Sequence, residues 1–388
     1  MSRMYQPLRT CEVQPGAEIG VREATALDPD PVRAVSDLRV SLAVDAPSLI
    51  LFFCAPTYDR DALATALNDA FGHVPLVGCT TAGQLDGAGY RRGGITALAL
   101  SSTELDVSIV PVTPLSQLAT GSIALAERLT KRKRKPGWRT CALTLIDGMS
   151  HQEEVLTSAV HETLHDMPLV GGSAGDDLRH AGTAVFVDGE FKQDAAAVVL
   201  LHTTLELRTF QFHHFEPGNK VLVITDADPA RRTVAEINGE SAAREYARAV
   251  GVPIDALSPR VFADHPLLLN IGGDYIARSI RSALPDGSLT FYCAIEGGLV
   301  TRVGRAVDVV ETTRRAFDRV VRDLGEVSAV IGCESALRRL SYEEHGIDRE
   351  IGNIYAAHHV VGFSGYGEQF NGIHTNHTFT GIALGRPR

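Results

Sequence analysis

Two strongly apolar runs, residues 49–54 and 141–146 (the second broken only by Thr144), stand out from the mixed pattern of the first half of the chain. Both are too short for helices and carry no alternation, so they predict strands buried on both faces. After the first run, Leu63, Ala66, Leu67 and Ala70 recur at helical spacing within residues 59–71, and Gly72 ends the segment. After the second, residues 152–165 predict another helix. Each helix leads into a near-copy of one phrase: Pro75-Leu-Val-Gly-Cys-Thr-Thr-Ala-Gly83 and Pro168-Leu-Val-Gly-Gly-Ser-Ala-Gly175. A third copy, Val360-Val-Gly-Phe-Ser-Gly-Tyr-Gly367, follows a comparable apolar lead-in at residues 327–331 and a longer insert. Each copy reads as an apolar stretch, a glycine, a small hydroxyl residue and glycine again. We read it as a glycine turn that brings backbone close to whatever fills a cleft.

Further strands are expected near residues 94–100 and 105–112, read as a pair, and near 183–187, 195–201 and 205–212. In the last third, residues 221–225, 289–294 and 379–384 predict strands, and 33–40, 241–250 and 309–324 predict helices. The fold class is therefore α+β, with mixed sheets, flanking helices and internally duplicated βαβ-hairpin units in two domains. Residues 1–30 read as a flexible arm and 31–216 as a first domain with two halves related by a pseudo-twofold. The polar cluster Glu216-Pro217-Gly218-Asn219 predicts the turn that opens a second domain, 217–388.

Chemistry is sparse. Gly171-Gly-Ser-Ala-Gly175 satisfies G-x-S-x-G, but a nucleophile elbow needs a helix after its serine, and residues 176–191 resume as β-structure. Ser173 or Cys79 as the nucleophile of a hydrolase is the enzymatic alternative; the expectation is no catalytic activity. No glycine phrase carries a phosphate-binding ending. His161 and His165 share a helix face without a third ligand at metal spacing, so a surface face is expected. His213-His214 and His358-His359 are adjacent pairs pointing to opposite sides of strands. The loop Gly372-Ile-His-Thr-Asn-His377 follows the third glycine phrase, where a ligand site would be built.

A net charge of −10 excludes an extended nucleic-acid surface. The run Lys131-Arg-Lys-Arg-Lys135 before Pro136-Gly137 reads as a solvated helix end. No apolar stretch is long enough for a membrane span, and no secretory leader is evident. Six scattered cysteines without a CxxC pair suit a reducing compartment, so a cytoplasmic location is expected.

Leu76-Val-Gly-Cys-Thr-Thr-Ala-Gly83 with Gly93-Gly-Ile-Thr-Ala-Leu-Ala-Leu100 resembles the N-terminal half of FIST proteins, sensory modules of bacterial signal transduction. Val234-Ala-Glu-Ile-Asn-Gly-Glu-Ser-Ala-Ala-Arg-Glu-Tyr246, His265-Pro-Leu and Gly362-Phe-Ser-Gly-Tyr-Gly-Glu-Gln-Phe-Asn-Gly372 resemble their C-terminal domain. This last segment, with Phe291-Tyr-Cys-Ala-Ile-Glu296, is most similar to the NosP-type branch. That resemblance implies haem b binding, nitric oxide sensing, and a partner histidine kinase or cyclic di-GMP synthase or phosphodiesterase, with a homodimer left open. A small-metabolite sensor, for instance of amino acids, is the alternative. Non-covalent haem needs an axial donor and an apolar slot. The expected site is a cleft between the phrase bearing Gly362, Ser364 and Gly367 and the loop bearing His374. His374 would be the axial metal ligand, Cys293 the second choice, Tyr366 a wall, and Arg338 or Arg339 the partner of a propionate. Gly78, Thr80 and Gly83 would form the equivalent ligand loop in the first copy.

Overall fold

The structure, a computed structural model, describes residues 19–44, 46–131, 137–165 and 167–385. Residues 1–18 of the expected arm, and the basic run from residue 132 onward, lie outside them. The arm expectation changes after that point, because Gly20–Ala26 is a strand paired antiparallel with Ile95–Ser101.

The apolar runs and glycine phrases are the central parallel strands of three sheets. Leu49–Cys54 pairs with Leu76–Thr80, Arg139–Ile146 with Leu169–Ser173, and Val327–Ser335 with Val360–Gly365. The phrase is therefore a strand and not a turn. Its glycine is dictated by close strand approach. A Cβ on Gly78 would lie 2.3 Å from the Phe52 carbonyl oxygen, and one on Gly362 would lie 1.8 Å from that of Gly332.

All three sheets share one plan: two antiparallel strands on one side of the parallel pair and a short hairpin on the other. No unit keeps its own hairpin. Gln84–Asp86 with Gly89–Arg91, which follows the first phrase, extends the third sheet through Gly362 and Phe363. Val185–Val187 with Glu190–Lys192, after the second phrase, extends the first sheet through Gly78 and Cys79. Glu368–Phe370 with Ile373–Thr375, after the third, extends the second sheet through Val170 to Gly172. The exchange closes in a ring. Backbone bonds repeat it where the strands end: Ala82 N–H donates to the Ser364 carbonyl at 2.8 Å, Gly175 to Thr80 at 3.0 Å, and Tyr366 to Ser173 at 3.1 Å. Gly78 and Gly171 are equivalent as expected, but the relation is threefold and includes Gly362. The expected twofold is overturned for that reason. The expected pairing of the strands near 94–100 and 105–112 also fails: Leu105–Val112 pairs with Ala196–Thr203 in the second sheet.

One core joins the three sheets, with Phe53, Val77, Leu145, Val170, Ile331 and Phe363 all buried in it. Each sheet buries its outer face under its own helices. Pro31–Leu42 and Arg60–Phe71 cover the first, capped by Asp30 and Asp59. Leu118–Thr130 and Glu153–Leu164 cover the second, and Val309–Leu324 and Asp348–Ala357 the third. Coverage on both faces explains why the middles of these strands read as largely apolar runs without alternation.

An eight-stranded sheet is inserted between Leu207–Phe212 and Val309–Leu324 of the third unit. It packs helices Ala242–Val250 and Pro259–Asp264 over Leu222 and Phe291, with Phe262 buried from the second helix. The Glu216–Asn219 cluster is not a turn. It lies within strand Phe215–Asp228, at a register shift between Pro217 and Val221. Among the described residues, no helix is long and apolar enough to cross a membrane.

Candidate functional site

The exchanged hairpin Glu368–Thr375 turns at Asn371-Gly372, with Asn371 at φ 53°. Asn-Gly is the dipeptide a two-residue hairpin favours. Opposite residues of such a hairpin share a face. Phe370 pairs with Ile373 and Glu368 with Thr375, while Gln369 and His374 point the other way. Phe370, Ile373 and Thr375 line a cavity of about 410 Å³; His374 does not.

That cavity sits where three parts of the molecule meet. Helix Glu153–Leu164 contributes His161, strand Leu207–Phe212 and the residue after it contribute Gln211, Phe212 and His213, and the inserted sheet contributes Asp274, Tyr275 and Ile276 from its edge strand. Gln211 Nε2 donates to Thr375 Oγ1 at 2.9 Å and fixes that wall. The Phe215 N–H donates to His213 Nδ1 at 3.3 Å. Burial, and then the nearby Arg338, lower the His213 pKa, so it stands neutral at pH 7. His161, expected on a surface face, is a wall residue instead. Its buried Nδ1 has no hydrogen-bond partner among the described residues.

Behind the hairpin, His374 is only 2% exposed. Gln369 Nε2 donates to its Nδ1 at 3.1 Å and to Ser173 Oγ at 3.0 Å, leaving His374 Nε2 buried and unpartnered. Gly367 backs directly onto the ring, since a Cβ there would lie 2.3 Å from Cε1. Beneath lies a charged knot. Arg232 donates to Glu153 at 2.5 Å, to Glu154 at 2.6 Å and to the Tyr292 carbonyl at 2.6 Å. Burial pushes the Glu154 carboxyl up, but His374, Arg232 and the Ala294 N–H outweigh it and bring it down to about 2. Cys293 is enclosed beside this knot, and burial pushes its thiol up.

The remaining expected site residues are engaged in packing. Arg338 is fully buried, bonded to Glu334 at 3.4 Å and to His214 Nδ1 at 3.1 Å, so it does not reach a ligand. Glu334 also accepts from Tyr355 at 2.6 Å and from Tyr90. Arg339 lies over Gly83, donating to the Ala82 and Arg91 carbonyls at 3.3 and 3.1 Å and to Glu343 at 3.0 Å. A Cβ on Gly83 would fall 1.3 Å from that guanidinium, which is why the position is glycine. Tyr366 donates to Asp176 and stacks on His180 at 5.0 Å. Thr80 Oγ1 accepts from the Ala184 N–H at 3.0 Å, and Ser364 is wholly enclosed. Ser173 is enclosed inside its strand, and burial pushes the Cys79 thiol well up, so neither stands as an exposed nucleophile. Sequence reasoning missed Gln211, Phe212, Asp274, Tyr275 and Phe370. Only the Gly272-Gly273 turn before Asp274 hinted at a hairpin there.

The FIST N domain model matches residues 48–240, and the FIST C domain model matches residues 242–371. The chain belongs to the FIST family. FIST domains are sensory domains that bind small ligands in signal transduction. No curated protein sequence matches this FIST chain. Among solved structures, the cyanuric acid hydrolase from A. caulinodans is similar over 48% of this chain and 71% of its own, at 10% identity. The TM-score is 0.28.

Haem, implied for the NosP-type branch, does not fit at His374 in this FIST protein. The ring is buried and does not line the 410 Å³ cavity, and Gly367 occupies the space beside it. Cys293 is equally enclosed. Among the described residues, no cluster of three or more His, Cys, Asp or Glu side chains is placed to hold a metal ion. A second cleft, of about 790 Å³, lies between the inserted sheet and the third unit, walled by Val250, Val303, Val307, Val310 and Ile347 with His214, His265 and His345. His345 Nδ1 is 2.8 Å from the Ser341 carbonyl and donates to it, so the Nε2 lone pair is free of that bond.

Proposed function

We propose that this FIST protein senses a small molecule held in the 410 Å³ cavity under the Glu368–Thr375 hairpin. The observation that carries the reading is the composition of the walls: the second unit, the third unit and the inserted sheet each supply some. A ligand there bears on the joint between the inserted sheet and the three-unit body, and differential contact with the two is what shifts a conformational equilibrium. The volume lies at the lower end of the range for small-molecule pockets. Filling it tests the reading. Compounds found by ligand-observed NMR on the wild type should lose binding by tenfold or more in Ile373→Trp, with the melting temperature changed by only a few degrees. Retained affinity in that folded variant would overturn it.

Haem and nitric oxide sensing form a second reading, favoured by His345 at the wall of the larger cleft, whose Nδ1 is held by the Ser341 carbonyl and whose Nε2 faces Asp264. Haem would supply the gas-binding iron; His345 would hold it and the valine wall would exclude water. Release of His345 from Asp264, 3.8 Å away, is part of this reading. Output to a partner histidine kinase or cyclic di-GMP enzyme belongs to it as well. Haem titration should give a Soret band that His345→Ala abolishes and His374→Ala leaves unchanged. A band that survives His345→Ala would sink this assignment.

A further inference from the structure

The walls of the 410 Å³ cavity carry one carboxylate and no lysine or arginine. That carboxylate belongs to Asp274, at the start of the edge strand Asp274–Arg278 of the inserted sheet. No described residue hydrogen-bonds or ion-pairs with its side chain, although nearby acids of this protein are matched with care. Glu153 and Glu154 share Arg232, and Glu334 has Arg338 and two tyrosines. His213, His161 and Tyr275 are the other titratable groups of the lining; His213 is the one Asp274 acts on, and burial keeps it neutral. Tyr275 and Phe370 border the same space; Phe212 lines it too, with its ring engaged by Arg338 at 5.0 Å and Phe379 at 5.3 Å. Aromatic faces are negative at their centres and attract a cation, and a carboxylate supplies the charge-assisted hydrogen bond. At the other wall, the buried Nδ1 of His161 waits for one polar contact.

We propose that the cavity selects a protonated primary amine on a compact aromatic body, with the ammonium on Asp274 and a polar ring substituent within reach of His161. The inference rests on the reading of this cavity as the ligand site and adds the charge of the ligand. It makes free amino acids poor ligands. Their carboxylate would enter a space that offers no cation and already holds Asp274, and like charges at such distances are unfavourable.

Calorimetric titration of the whole chain with three probes tests this: tyramine, tyrosine and the neutral 4-hydroxyphenethyl alcohol. Tyramine should bind at least tenfold more tightly than either of the others. Asp274→Asn keeps the shape and removes the charge, so it should weaken tyramine by about 10- to 100-fold, the range expected for a hydrogen bond to a charged group. The same variant should leave the neutral alcohol within about twofold. Equal or tighter binding of tyrosine or the alcohol, competing with fragments that Ile373→Trp excludes, would overturn the amine assignment while the cavity remained the ligand site. Tyramine binding that persists in Ile373→Trp would overturn both. A folded Asp274→Asn variant with unchanged tyramine affinity would overturn the role of Asp274.

Discussion

Gly362→Ala is expected to lower the unfolding free energy by about 3 kcal/mol or more, above the usual penalty of one added methyl in a packed core. The new Cβ would sit 1.8 Å from the Gly332 carbonyl oxygen, in the register where Gly362 and Gly332 are direct partners. A flexible side chain could move aside; a backbone carbonyl in the middle of the third sheet cannot. Gly362 also pairs with Leu85 of the hairpin supplied by the first unit, so any strand shift is felt in two units at once. The midpoint of urea unfolding measures it. Gly121→Ala is the matched control. Gly121 lies in helix Leu118–Thr130 with open space at its Cβ, and alanine there should be neutral or stabilising by up to about 1 kcal/mol. A Gly362→Ala midpoint equal to that of the control would show that the strands are not as close as described.

Arg232→Met should cost about 3–5 kcal/mol, because it leaves the buried Glu153 and the largely buried Glu154 without their shared counter-charge. Its pH dependence is a sharper test. Glu154 titrates at about 2 in the folded protein, below its ordinary 4.5. A depressed carboxylate contributes stability that is fully present above about pH 4.5 and is lost as the pH falls towards 2. Wild-type stability should therefore fall with acid across that window. In Arg232→Met the His374 and Ala294 N–H contributions remain, so the Glu154 pKa should move only part of the way back towards its ordinary value, and this part of the slope should become shallower. Denaturation at pH 6, 4 and 3 measures both. A variant with the wild-type slope would mean that Arg232 is not what holds Glu154 ionised.

Much of the layout could be read from the chain. The runs at 49–54 and 141–146 and the helices that follow them became the elements their patterns implied, whereas the glycine phrases, read as turns, are strands. The hairpin exchange could not be read. Gln84–Asp86 shows a β pattern but carries nothing that names Gly362, rather than a neighbour in sequence, as its partner. Pairing is decided by which sheet has an open edge, and that is a property of the assembled molecule. The site was half legible. The loop at 372–377 does border a cavity, but Asn371-Gly372 sets the hairpin register, and register decides the face; one position of parity sends His374 into the core. Arg338 and Arg339 looked available because a sequence shows charge and not burial. Glu334, four residues before Arg338, was the overlooked partner.

The ring of borrowed hairpins also sets a timetable for synthesis. The Ala82 carbonyl, near the end of the first phrase, waits for Arg339, 257 positions later. At a ribosome's pace of about 5–20 residues per second, that is roughly ten seconds to a minute. During this interval the first unit has emerged with its hairpin unpaired and its own sheet edge open until Val185–Val187 arrives. The nascent chain thus presents sticky edges to its neighbours on the same messenger, and slower translation lengthens that exposure.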